Sequence, residues 1–215
     1  MPDGAIAHEL RLRHHFDSLE QQHEAASLGM WIFLATEVLF FGGLFLAYLV
    51  YRLLYPQGFD EASGTLDLFW GATNTVVLIT SSLTMALAVA AARDGNRSGT
   101  VLFLVVTMLL GVAFLGVKAL EYSRKIAEHH VPGAGFTFEG ERPDHAEIFF
   151  SLYFVMTGLH ALHMIVGIGV LAAIAILAGR GRFSTDYSTP VEISGLYWHF
   201  IDIIWIFLFP LLYLI

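Results

Sequence analysis

Five apolar runs punctuate this 215-residue chain. Each, counted with its amphipathic flank, reaches the roughly 20 residues an α-helix needs to cross about 30 Å of hydrocarbon. They cover residues 28–51, 68–92, 100–117 (continued amphipathically through Lys118-Ala119-Leu120-Glu121-Tyr122-Ser123-Arg124-Lys125), 146–178 and 191–215. These stretches are continuous, whereas membrane β-barrels show alternating segments of about ten residues. The expected fold class is therefore all-α: a polytopic membrane protein built as a single bundle of five transmembrane helices. Bulk composition agrees, with a mean hydropathy of +0.66. The charged fraction is 14%, against about 25% in soluble domains.

Turn and loop chemistry separates the runs. Residues 53–66 carry Pro56, Gly58, Asp60 and Gly64 and read as a short loop. Arg93-Asp94-Gly95-Asn96-Arg97 closes the second run, and a polar Gly- and Pro-containing loop spans residues 129–144. Pro190 is a suitable helix-start residue for the last run. No internal repeat interrupts the pattern, so residues 27–215 form one transmembrane domain behind a polar N-terminal segment, residues 1–26. That segment is expected to be a solvated tail and has no apolar core of a signal peptide, so the first span is expected to act as its own insertion signal.

Loop charge suggests an orientation. Arg11, Arg13, Arg93, Arg97, Arg180 and Arg182 lie on one side, and Arg52, Arg124, Lys125 and Arg142 on the other, six against four. This bias places the N-terminus in the cytoplasm and the C-terminus outside. A formal charge of −8 with no basic face argues against nucleic acid as a partner. The absence of Cys excludes disulfides, iron–sulfur clusters and the thiolate ligands of a binuclear copper centre.

The informative residues are those costly to place in hydrocarbon. Glu37 lies well inside the first span, where a carboxylate costs about 2.5–3.5 kcal/mol on insertion scales. It reads either as a carboxyl that exchanges protons or contacts lipid or a partner, or as a hydrogen-bonded strut between helices. Asn74 and Ser81 share one stripe of the second span, and Thr73, Thr80 and Thr84 another; both suit interhelical hydrogen bonding and close packing. Lys118 and Glu121, three apart, are expected to pair at the membrane interface. His160 and His163 share a face of the fourth span. In the fifth, His199 and Asp202 do the same, with Trp198 and Trp205 seven apart beside them. A His160–His163–His199 metal cluster is conceivable from spacing alone. Hydrogen-bonded packing histidines are the commoner outcome.

Several of these pieces, in chain order, resemble subunit III of the haem–copper oxidases, the cytochrome c oxidase family. Residues 28–41, Leu-Gly-Met-Trp-Ile-Phe-Leu-Ala-Thr-Glu-Val-Leu-Phe-Phe, are similar to the family segment bearing its buried glutamate. Asn74-Thr75 followed by Thr80-Ser81-Ser82 resembles its Asn-Thr…Ser-Ser helix, and Glu121-Tyr122 its Glu-Tyr/Trp helix end. Thr157-Gly158-Leu159-His160-Ala161-Leu162-His163 and Tyr197-Trp198-His199-Phe200-Ile201-Asp202-Ile203-Ile204-Trp205 match its two C-terminal signatures. Five pieces in order are far more specific than any one.

The resemblance implies an accessory subunit with no catalytic residue and no bound cofactor of its own, haem and copper residing in partner chains. It implies packing on the catalytic subunit I beside subunit II, in a proton-pumping terminal oxidase of the aerobic respiratory chain in the bacterial inner membrane. It further implies support of proton uptake, protection of the active site through turnover, and structural phospholipid in a cleft between two helix bundles. Only the five-helix bundle of the longest members is present in this sequence, so a neighbouring chain would have to supply the other wall of that cleft. Glu37 is then the family's buried intramembrane carboxyl. Asn74, Glu121, His160, His163, Trp198, His199, Asp202 and Trp205 become polar helix-packing or lipid-contact residues. Two relatives share the pattern, the ubiquinol oxidase subunit and one associated with nitric oxide reductase. The alternative from another class is an independent metal or proton transporter using the histidine-bearing helices.

Overall fold

A computed structural model describes residues 16–185 and 187–214. Its elements are α1 (Leu19–Leu54), α2 (Pro56–Ser63), α3 (Leu68–Arg93), α4 (Arg97–Ala127), α5 (Pro143–Gly179) and α6 (Thr189–Tyr213). All but α2 are long and apolar enough to cross a membrane. The five spans run up and down in sequence order, so the first and last emerge at opposite ends of the bundle.

Local chemistry sets the helix ends. Ser18 caps α1 by accepting from the Gln21 backbone N–H, Asp67 caps α3 through Phe69 and Trp70, and Asn96 caps α4 through Gly99. Proline opens α2, α5 and α6, where its missing N–H costs nothing. Two boundaries differ from the sequence expectation. Helix α1 begins at Leu19, ahead of the apolar run, because the Ser18 cap and good helix formers carry it into the polar segment. Residues 1–15, which include His8, His14 and His15 of the expected solvated tail, lie outside the described residues.

The second difference is α2, expected as loop. Pro56 starts it, and its Phe59 and Ala62 are fully buried. Gly58 makes the close approach possible: a Cβ there would sit 2.3 Å from His145 Cβ at the start of α5. Burial of a short apolar face against α5 thus outweighs the turn signals in its sequence.

The bundle is built around α6, which packs against α1, α3 and α5. Trp198 and Trp205 are completely buried there, as are Phe114 of α4 and Tyr153 of α5. The outer surface is apolar instead: Leu28, Trp31, Leu39, Leu83, Leu109 and Leu162 are all exposed. Polar groups therefore point inward, the arrangement expected where the solvent is hydrocarbon.

The α4–α5 loop folds back on the bundle through His130, whose ring stacks on Phe150 with centroids 4.8 Å apart. Its Nδ1 lies 3.2 Å from Glu128 Oε2. Burial, reinforced by the nearby Lys125, holds its pKa below the ordinary 6.5 despite the opposing pull of Glu128. A histidine with a depressed folded pKa binds its proton better once the loop is open, so acid favours opening. After correction for the intrinsic slowing of amide exchange in acid, exchange over residues 129–142 is expected to stay slow at neutral pH and accelerate as pH falls below about 6.5. In His130→Gln that pH dependence should vanish. Acceleration of equal size in the variant would refute the assignment.

Candidate functional site

Three polar clusters lie inside the bundle, and they contain nearly all the residues singled out from sequence. The first joins α1 to α5. Glu37 Oε2 lies 3.2 Å from His163 Nε2, with each side chain 18% exposed. The other ring nitrogen, Nδ1, is 2.8 Å from the Leu159 carbonyl. A carbonyl only accepts, so Nδ1 carries a hydrogen. The Glu37–His163 contact then needs one further proton, resting either on the carboxyl or on Nε2. The pair is neutral overall in both forms, which makes it tolerable at this depth. Tyr197 O–H donates to the His163 carbonyl at 3.2 Å, and the Phe41 ring meets the imidazole edge-on at 5.3 Å, fixing its orientation.

The second cluster is centred on Lys118 and Glu121 of α4. The Lys118 ammonium donates to Glu121 Oε2 at 3.1 Å and to the hydroxyls of Tyr153 and Tyr213 at 3.0 Å each. Both tyrosines donate in turn to Glu121 Oε1, at 2.7 and 2.5 Å. All three ammonium hydrogens and both carboxylate oxygens are used. Tyr122, Tyr153, Trp205 and Tyr213 rings surround the ammonium within 5.7 Å. The expected ion pair forms, yet at 5% and 7% side-chain exposure it belongs to the bundle interior and not to a wet interface. Sequence did not point to Tyr153 and Tyr213, which lie 32 and 92 residues from Glu121. A tyrosine in an apolar run carries no periodic signal that separates it from a packing aromatic.

The third cluster lies along the α3–α6 seam. Trp198 Nε1 donates to Ser81 Oγ at 3.1 Å, and Ser82 Oγ lies 2.7 Å from His199 Nδ1. Trp205 Nε1 donates to Thr75 Oγ1 at 3.1 Å. Asp202 is 3% exposed, and among the described residues neither of its carboxyl oxygens has a hydrogen-bond partner. Asn74, fully buried, donates to the Phe114 carbonyl of α4 at 3.4 Å, and the Thr84 and Thr107 hydroxyls join α3 to α4 at 2.8 Å. Thr73 and Thr80, grouped with Thr84 by spacing, instead return their hydroxyls to carbonyls of their own helix.

The three histidines proposed as a metal cluster do not converge. His160 Nε2 donates to the Ile201 carbonyl at 3.2 Å, and its ring is packed against Phe114 and Trp205. His163 turns to Glu37 and His199 to Ser82. A shared helix face brings two imidazoles near each other, but each is claimed by a different neighbouring helix. Among the described residues, no group of three His, Cys, Asp or Glu side chains is placed to hold a metal ion.

A family model for cytochrome c oxidase subunit III matches residues 12–215. The chain is 32% identical over 200 residues to a cytochrome c oxidase subunit 3 of Thermostichus vulcanus, covering 93% of this chain and 92% of that one. It is also 32% identical over 204 residues to a quinol oxidase subunit 3 of Bacillus subtilis, covering 91% of each. A cytochrome c oxidase subunit 3 of Alkalihalophilus pseudofirmus is 30% identical over 98% of this chain and 97% of its own length.

Proposed function

The chain belongs to the cytochrome c oxidase subunit III family, and from that premise we propose that it is an accessory subunit that holds no redox centre and sustains the activity of a catalytic neighbour. As a subunit III of a haem–copper oxidase it is part of an oxidoreductase complex in a membrane. Within that complex it packs on subunit I beside subunit II, supports proton uptake and preserves the active site during turnover. It lies in the bacterial cytoplasmic membrane with its N-terminus in the cytoplasm, a reading supported by the six-to-four excess of Lys and Arg on that side. Relatives serving cytochrome c and quinol oxidases are equally similar. The electron donor is accordingly chosen by the partner chains.

The observation that carries this reading is the Glu37–His163 pair. One proton shared by two bases, in a partly open position between α1 and α5, gives a site where the proton can move between carboxyl and imidazole with no change in the pair's net charge. It can also act as a strut holding α1 to the bundle, and the two roles are compatible. Around it, Asn74, Glu121, His160, Trp198, His199, Asp202 and Trp205 serve helix packing and lipid or partner contact.

Glu37→Ala leaves His163 Nε2 without its partner, at a cost of about 1–3 kcal/mol. The variant complex is expected to assemble and to catalyse its first turnovers normally, then to lose activity sooner than the parent during sustained oxygen consumption. Abolition of the first turnovers in an assembled complex would contradict an accessory role. The purified chain should be colourless and should carry a haem-bearing partner through purification in mild detergent. A haem spectrum from this chain alone would contradict the proposal.

A further inference from the structure

A groove runs along the outer side of the α3–α6 seam. Its centre is a cavity of about 400 Å³ whose walls include Ile79, Ile203 and Ile206 and whose polar lining is Ser82, His199 and Asp202. A second cavity of about 340 Å³ continues it through Ala86, Ala90 and Gly195 to the Arg93–Glu192 ion pair, with Ala86 and His199 common to both. Ser82, Ala86 and Ala90 follow one another at four-residue spacing, so they form a stripe of small side chains on one face of α3. From Ile79 to Arg93 the groove follows α3 for about 21 Å, at 1.5 Å per residue. Small residues in such a row let another helix approach closely.

Asp202 identifies what the groove lacks. It is buried, it lines the groove, and both its carboxyl oxygens are unpartnered. The nearest hydroxyls, on Ser81 and Ser82, lie beside the carboxyl without closing a hydrogen bond: Ser81 Oγ donates to the Leu78 carbonyl at 2.8 Å, and Ser82 Oγ lies 2.7 Å from His199 Nδ1. Asp202 stands near the middle of the 25-residue α6, opposite the middle of the 26-residue α3. At that depth lipid offers acyl chains, which donate no hydrogen bond, and headgroups are too far away. A second copy of this chain docked through the same groove would bring its own carboxyl to the seam, with no Lys or Arg in the central cavity to pair with it. A donor side chain on a different transmembrane segment would satisfy Asp202.

We propose that the α3–α6 groove receives a transmembrane helix of the catalytic oxidase subunit, whose hydrogen-bond-donating side chain closes onto Asp202. The inference rests on the accessory-subunit reading above and says which face of this chain meets its partner. Ser82, Ala86 and Ala90 give that helix close approach, and Ile79, Ile203 and Ile206 flank it.

Because the chain contains no Cys, a single introduced cysteine is the one thiol it carries. Ala86→Cys and Ile203→Cys place a benzophenone–maleimide label in the groove; Leu109→Cys and Leu162→Cys place it on exposed positions elsewhere. In the assembled complex in its own membranes, labels at 86 and 203 are expected to link to the haem-bearing subunit about tenfold more than labels at 109 and 162. In mild detergent, Asp202→Leu is expected to lower the fraction of chain retained in the complex about tenfold, while Asp202→Asn, whose amide oxygen still accepts, retains it. Groove labels that reach only lipid, or only a second copy of this chain, would overturn the proposal, as would undiminished retention of Asp202→Leu. If the parent chain fails to co-purify with any haem-bearing partner, the accessory-subunit reading falls with it. Intact co-purification with lipid-only links overturns the groove alone.

Discussion

Lys118→Met is expected to destabilise the bundle by about 3–5 kcal/mol, the cost of leaving a buried ion without its counter-charge. The arrangement explains why the effect should be so large. Among the described residues, Lys118 supplies the only cation bonded to Glu121, and it also holds the hydroxyls of Tyr153 and Tyr213 that complete the carboxylate's shell. With the ammonium gone, Glu121 keeps two phenolic donors but no compensating charge. The same substitution in a solvent-exposed pair would cost about 1 kcal/mol or less. Unfolding in mixed micelles, followed by circular dichroism, measures the difference. The double variant Lys118→Met/Glu121→Gln should recover much of the lost stability, because no net charge then remains buried. If Lys118→Met unfolds within 1 kcal/mol of the parent, the pair is more hydrated than its burial indicates.

Trp198→Ala is expected to cost a similar amount, about 3–5 kcal/mol, by a different route. Trp198 is completely buried, and its ring lies in a recess made by two glycines on neighbouring helices. A Cβ on Gly111 of α4 would be 2.8 Å from Trp198 Cη2, and one on Gly167 of α5 would be 3.2 Å from Cε3. The indole therefore wedges α6 against α4 and α5 at once. Between membrane helices, association draws on packing and hydrogen bonds and gains nothing from excluding water. An unfilled recess there loses those contacts outright. Ser81 is not orphaned by the change, since its hydroxyl still donates to the Leu78 carbonyl. The loss should therefore be one of shape, and coupling to the glycines tests that. Gly111→Ala alone should destabilise by about 1–3 kcal/mol through overpacking. In the Trp198→Ala background the same methyl group has room and should be neutral or stabilising. Strict additivity of the two changes would show that ring and glycine are not in contact.

These predictions concern residues of unequal visibility in the sequence. Lys118 and Glu121 announce themselves as charges three apart in an apolar helix, and Trp198 belongs to a recognisable terminal signature. Glu37 is visible as a carboxyl in hydrocarbon, but its partner His163 lies 126 residues away. Nothing in the spacing of either helix connects them. The groove is less visible still. Ser82, Ala86 and Ala90 are ordinary small residues, and Asp202 reads only as a polar packing residue sharing a face with His199. Tertiary structure shows that His199 is engaged by Ser82 and that Asp202 is left over.

Sequence alone determined the class and number of spans, because hydrocarbon thickness sets a length that each apolar run must meet, whatever its neighbours. It also determined the family, since ordered local signatures survive without knowledge of their contacts. It failed at α2, where burial of Phe59 against α5 overrode the turn signals of Pro56, Gly58 and Asp60. At the histidines it favoured hydrogen-bonded packing but could not name the partners: His160 and His163 share a helix face yet turn to different helices, and His199 turns to a third. Which polar group meets which is settled only when helices far apart in the chain are brought side by side. Hydrogen bonds and ion pairs depend on distances of about 3 Å, and periodicity within one helix carries no information about its rotation against the next.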